Sequence, residues 1–132
     1  MTNTSNDLNE YQAIKETVQF YIDGAIVGKS EIMSCAFSED ATIYGFVYPD
    51  LTKPKEGTLL SGSIQALFDF VDSTEPVQNL KVEFVRIDLV GTSANVKLEL
   101  YDWLGMRFID SLNLLKTDVG WRVVSKVFHQ PT

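Results

Sequence analysis

Apolar residues recur at helical spacing near the start of the chain. Leu8, Tyr11, Ile14, Val18, Tyr21, Ile22 and Ala25 fall on one face of a 3.6-residue repeat. Asp7 followed by Glu10 has the form of a capping box, and Gly28 is a helix stop. Residues 1–6 are polar and read as a frayed start. Ser30 reads as the N-cap of a short second helix with Ile32, Met33, Ala36 and Phe37 on its apolar side. Phe37–Ala41 then turns the chain into a first strand over 42–48. Pro49–Gly62 holds two prolines, two glycines and mixed charges. It reads as a loop with a short strand at 58–60, and long loops in compact domains are often functional. Ser63 caps a third helix, in which Ile64, Leu67, Phe68 and Val71 keep the i, i+3, i+4, i+7 spacing, and Pro76 closes the region.

From Leu80 onward the period changes from 3.6 to 2. Residues 80–90 read as a strand whose apolar phase slips between Phe84 and Val85, as a β-bulge would produce. After a turn at Gly91, Ala94, Val96, Leu98 and Leu100 alternate with Asn95, Lys97, Glu99 and Tyr101, so one face of that strand is buried. Leu104-Gly-Met turns into a strand over 107–116, and Asp118-Val-Gly120 turns into a last strand over 121–129. No internal repeat or linker interrupts the 132 residues, so one domain over 1–132 is expected. Helix, helix, strand, helix and meander make an α+β layout: a curved antiparallel sheet packed by helices on one face.

Composition narrows the partners. The formal net charge is −7, with no basic cluster, which suits neither nucleic-acid phosphates nor an anionic membrane surface. No apolar stretch approaches the roughly 20 residues of a membrane span. The opening residues lack the charged and apolar regions of a secretory signal, so a soluble cytoplasmic protein is expected. Cys35 is the only cysteine, so no internal disulfide forms, and it reads as a buried structural thiol. One histidine and scattered acids do not make a metal site, and no Gly-rich phosphate loop is present. No cofactor is expected. Asp69 and Asp72 share one helical side and read as a solvated face.

The candidate chemistry centres on Asp110. Phe108, Asp110, Leu112 and Leu114 occupy alternate strand positions, so an acid shares a face with apolar residues. Such an acid is costly unless it is paired, protonated or lining a wet pocket. His129, the only histidine, is the one ordinary proton shuttle near pH 7. It shares parity with Trp121, Val123 and Val127, so an Asp110–His129 dyad on adjacent strands is a candidate. Tyr21, Tyr44, Tyr48, Trp103 and Phe108 are candidate pocket aromatics, and a tyrosine there can donate to a carbonyl or oxyanion. Leu112 would join the pocket wall.

Several segments resemble a known superfamily. These are Phe37-Ser-Glu-Asp-Ala-Thr42, Gly62-Ser-Ile64 opening a helix with Phe68, and Leu114-Leu-Lys-Thr-Asp-Val-Gly-Trp-Arg122. In order and spacing they resemble the nuclear transport factor 2-like cone fold, which includes ketosteroid isomerases and polyketide cyclases. The ending Trp121–His129, with Phe108-Ile-Asp110, is similar to a bacterial branch labelled "putative lumazine-binding". The resemblance covers about Tyr11 to His129. It implies a cystatin-like cone, a pocket in the sheet's concavity closed by helix one and the Pro49–Gly62 loop, and a homodimer through the outer sheet face, where Tyr101, Ile109 and Leu115 would lie. Ketosteroid isomerases use a helix-one tyrosine and two acids. The tyrosine position matches Tyr21, but the acid positions fall on Gly45 and Leu112. Three functions stay open: a small-molecule-binding domain, an acid–base lyase, cyclase or isomerase on a carbonyl compound with catalytic Asp110, His129 and Tyr21, and a dimeric accessory module.

Overall fold

A computed structural model describes residues 4–131, with side chains from Asp7 onward. Of the frayed start expected over residues 1–6, residues 1–3 lie outside the described residues and 4–6 belong to the first helix. Helix α1 (Thr4–Val27) already includes Thr4, three residues before the expected cap. Glu10 does not reach back to close a capping box. Its carboxylate accepts from Lys116 Nζ at 2.8 Å and from Trp121 Nε1 at 3.2 Å, pinning the helix to the sheet. Helix α2 (Ser30–Met33) runs into a 3-10 turn at Ser34–Ala36. It packs against α1 at Gly24, where an added Cβ would lie 2.5 Å from Met33 Cβ. The 3-10 turn carries Cys35 outward, so the thiol expected inside is exposed.

Strand β1 (Phe37–Val47) starts five residues earlier than expected. The expected turn at Phe37–Ala41 is instead an irregular stretch of strand, where the register shifts between Phe37 and Thr42. A 3-10 turn at Pro54–Glu56 leads to β2 (Thr58–Ser63). Helix α3 (Gln65–Asp72) follows, its Gln65 N–H donating to Ser63 Oγ at 3.1 Å. Asp72 does more than face water: it accepts from both the backbone N–H and Oγ of Ser30, tying α3 to α2. Strands β3 (Lys81–Val90), β4 (Ser93–Trp103), β5 (Met106–Thr117) and β6 (Gly120–His129) complete the chain.

The six strands form one curved sheet in the order β2-β1-β6-β5-β4-β3. All neighbours are antiparallel except β1 and β6, which are parallel. The expected all-antiparallel sheet is therefore mixed. The cause is α3, which carries the chain back so that β3 runs in the direction of β2. Three hairpin reversals then bring β6 alongside β1 in the same direction. The core lies between α1 and the concave face, where Ile14, Val18 and Ile22 meet Val96, Leu98, Leu114 and Val123.

Two bulges set which side chains reach that face. One leaves Val85 unpaired between Phe84 and Arg86, at the phase slip seen in the sequence. The other leaves Val124 unpaired, since Leu114 pairs with Val123 while Asn113 pairs with Ser125. Beyond Val124 the inward positions of β6 become Lys126 and Phe128, followed by buried Gln130 just past its end, and Val127 and His129 are exposed.

Candidate functional site

Three polar side chains meet deep in the cone. Tyr21 comes from the middle of α1, Asp110 from β5 and Lys126 from β6. Lys126 pairs with Leu112 in register, which sets it diagonally to Asp110 on the same face. Tyr21 Oη donates to Asp110 Oδ2 at 2.6 Å and accepts from Lys126 Nζ at 2.7 Å. The ammonium also lies 3.5 Å from Asp110 Oδ2. All three are enclosed, with 3% of Lys126 and none of Tyr21 or Asp110 exposed. A buried charge is tolerated only when paired and hydrogen-bonded, and here Lys126 Nζ, Tyr21 Oη and Asp110 Oδ2 partner one another. The Lys126 Nζ is also 4.7 Å from the Tyr21 ring centroid, 5.5 Å from Phe128 and 5.7 Å from Trp103, a cation–π cage that further offsets its lost hydration.

The surroundings shift the protonation of this cluster. Burial, then the charge of Asp110 and its hydrogen bond, push the Tyr21 hydroxyl well above the usual phenol range. Burial pushes the Lys126 ammonium below the usual lysine value, opposed by the charge and hydrogen bonding of Asp110. Tyr21 is thus held as a neutral hydroxyl bridging an amine and a carboxylate, a ready path for a proton between them.

A cavity of about 280 Å³ opens beside Lys126. Leu60 of β2, Leu67 and Phe70 of α3, and Trp103, Phe108 and Phe128 of the sheet form much of its wall, and among the described residues Lys126 is the one ionisable side chain lining it. The volume is roughly twice that of the ~150 Å³ apolar cavity known to hold benzene, enough for a small fused-ring molecule. Two buried polar atoms near its floor have no partner among the described residues: Trp103 Nε1 and Asp110 Oδ1. Leaving such a group unpaired costs about 1–3 kcal/mol, and native structures carry few of them.

The sequence profile of the family described as "putative lumazine-binding" matches residues 9–129. The chain belongs to this family. Aldolase FrzH of Cladobotryum sp. is 32% identical over 122 residues, covering 92% of this chain and 91% of that protein. A nuclear transport factor 2-like protein of unknown function from Shewanella baltica OS155 is 38% identical, with a TM-score of 0.86 over 100% of this chain and 99% of the other. Another, from Methylobacillus flagellatus KT, is 32% identical with a TM-score of 0.82, over 99% and 96%. The cone is a nuclear transport factor 2-like, cystatin-like fold, and membership of the lumazine-binding family supports a ligand-binding domain. No helix among the described residues is long and apolar enough to cross a membrane.

This member of the lumazine-binding family places the sequence candidates unevenly. Trp103 and Phe108 line the cavity. Asp110 and Tyr21 stand behind Lys126, not on the wall. His129 is exposed and pairs with Ile109, because the Val124 bulge reverses the parity of the last half of β6. It therefore faces away from the Asp110 side chain, and the expected dyad does not form. Tyr44 is exposed on the outer face of β1, beside Val127. Tyr48 packs on Gly57 in the connecting loop. Leu112 is fully buried in the core without reaching the cavity. The wall facing the sheet comes from α3, and Leu60, in the Pro49–Gly62 segment expected to close the pocket, adds to it from β2, while α1, also expected to close it, instead supplies Tyr21 to the cluster beneath. At Gly45 an added Cβ would lie 2.5 Å from the Phe128 ring, so a ring occupies the place next to the position where the isomerases carry an acid.

Lys126 is the residue that sequence reasoning missed. Its signal was indirect. An acid at Asp110 on an apolar face calls for a cation, and β6 offers only Arg122 and Lys126.

Proposed function

We propose that the chain binds a small, flat, carbonyl-bearing molecule in the cavity beside Lys126. One observation carries this reading: an otherwise apolar cavity ends on a single buried ammonium, itself braced by Tyr21 and Asp110. Apolar walls give affinity through burial, and one well-placed donor fixes orientation. A ligand carbonyl oxygen would accept from Lys126 Nζ, and the unpartnered Trp103 Nε1 would supply a second donor. The family's label names lumazine, a flat ring system with carbonyl groups, which has the same features.

A second reading makes the site an enzyme acting on a carbonyl compound. The proton path from Lys126 through Tyr21 to Asp110 favours it, as does the relative named as an aldolase. We further propose a homodimer through the outer sheet face, where Tyr44, Phe46, Leu59 and Val127 are exposed apolar side chains and an apolar patch of this kind marks a contact surface.

Saturation-transfer NMR with decalone, a bicyclic ketone, and with lumazine tests the binding. Ala66 is exposed on α3 and lines the cavity, so Ala66→Trp fills the space without disturbing the core. Binding to the parent chain and its loss in Ala66→Trp are expected. Equal signals from both proteins, or none from the parent, refute the assignment.

A further inference from the structure

We infer that Lys126 is a covalent site, whose amine condenses with the carbonyl carbon of a ketone or aldehyde held in the cavity to form an iminium. The inference rests on the reading that the cavity takes a carbonyl compound, and adds that the contact becomes a bond.

The arrangement meets the needs of that condensation in order. The amine must first lose a proton. Tyr21 Oη, 2.7 Å from Nζ and 2.6 Å from Asp110 Oδ2, can take the proton from Nζ while passing its own to the carboxylate. Burial favours the neutral amine at this position, as it does for lysines that act as nucleophiles from apolar sites. The nitrogen lone pair then forms the N–C bond, and the carbonyl π pair moves to oxygen, which takes a proton from nitrogen to give a carbinolamine. Next, the proton stored on Asp110 returns through Tyr21 to the carbinolamine hydroxyl. The C–O bond breaks, water leaves and the nitrogen lone pair closes the C=N bond. One ammonium and one carbonyl have become one iminium and one water. The amine and Asp110 are both neutral in between, and the positive charge returns beside the Asp110 carboxylate with the iminium, so the pair has no net charge at any step.

The walls serve the same step. Trp103 and Phe128 flank the reacting nitrogen and Phe108 joins them on the cavity wall, which limits the water available to hydrolyse the product. Surface lysines lack this enclosure: Lys116, which also has a carboxylate partner in Glu10, keeps its side chain about half exposed. A lysine kept only to hold the fold would need the ion pair but no cavity against its amine.

Reductive trapping decides the matter. The whole chain is incubated at pH 7 with decalone and sodium cyanoborohydride, then analysed by intact mass and peptide mapping. One reduced adduct per chain is expected on Lys126. It should form faster than on any of the seven other lysines, because burial leaves more of this amine neutral. Ala66→Trp should abolish it at Lys126 and leave surface labelling unchanged. Lys126→Arg, which keeps the cation, should abolish it too, and the parent map alone decides if that variant does not fold. Adducts spread evenly over surface lysines, or none on Lys126 while saturation transfer shows decalone bound, overturn the covalent site and leave the binding reading standing. If decalone neither binds nor labels, both fall.

Discussion

Replacing Asp110 with asparagine keeps the shape of the side chain and removes its charge. Tyr21 retains an oxygen to donate to, but Lys126 becomes an unpaired cation with 3% of its surface exposed. Two independent routes give the size of the effect. Opposite charges 3.5 Å apart interact by about 5 kcal/mol at an effective dielectric constant of about 20. Alternatively, the stranded lysine escapes by releasing its proton. Against its ordinary value of 10.5, that release at pH 7 costs about 5 kcal/mol at ~1.36 kcal/mol per unit, which caps the loss. We expect Asp110→Asn to lose about 3–5 kcal/mol at pH 7. The cap shrinks as pH rises, to about 2 kcal/mol at pH 9. The sign follows from proton counting. A lysine whose folded pKa is lowered binds fewer protons in the folded state than in the unfolded chain up to 10.5, so stability climbs with pH across that window. Tyr21, with its pKa raised, works in the opposite sense only above about 10, outside the range measured. Urea unfolding at pH 7 and pH 9, for the parent and the variant, reads both quantities. Adding Lys126→Met removes both charges and should return stability to within about 2 kcal/mol of the parent. A loss under about 1 kcal/mol at pH 7, or one equal at both pH values, would show that Asp110 and Lys126 are not a coupled buried pair.

Other substitutions probe the frame around the cluster. Gly45→Ala drives a Cβ into the Phe128 ring. It should cost about 1–3 kcal/mol and weaken decalone binding, and unchanged melting and titration curves would mean that Phe128 is free to move. His129→Ala should shift stability by less than about 0.5 kcal/mol and leave decalone binding intact, since the ring lies outside the cone. A clear loss of binding there would restore the histidine to the site.

Much of the fold was legible because burial here follows simple periods. The alternation from Ala94 to Leu100 and the slip at Phe84–Val85 each admit one reading, since only one phase of each strand is apolar. Asp110 was found for the same reason, as the polar exception on an apolar face. The end of β6 is different. After Val123 one phase offers Val127 and His129, the other Lys126 and Phe128. Each contains one large apolar residue, and the ordinary preference against buried lysine favours the wrong one. The bulge at Val124 leaves no mark in the pattern because valine suits either face. The parallel pairing of β1 with β6 was hidden for another reason: it depends on where α3 delivers the chain, a long-range property that no local period carries.

The unpaired Val124 sits in β6 as a frame marker does in a message. Everything after it is read one position later, and the chemistry at the bottom of the cone depends on that offset. Were Val124 instead paired regularly, with no bulge, strand parity would present Val127 and His129 to the interior and turn the amine and the Phe128 ring out to water. The presence or absence of the bulge therefore decides which side chains of this strand face the cavity, with no change to the residues after it. In this cone the place of that bulge sets which side chains of the last strand line the cavity, independently of where the helices lie.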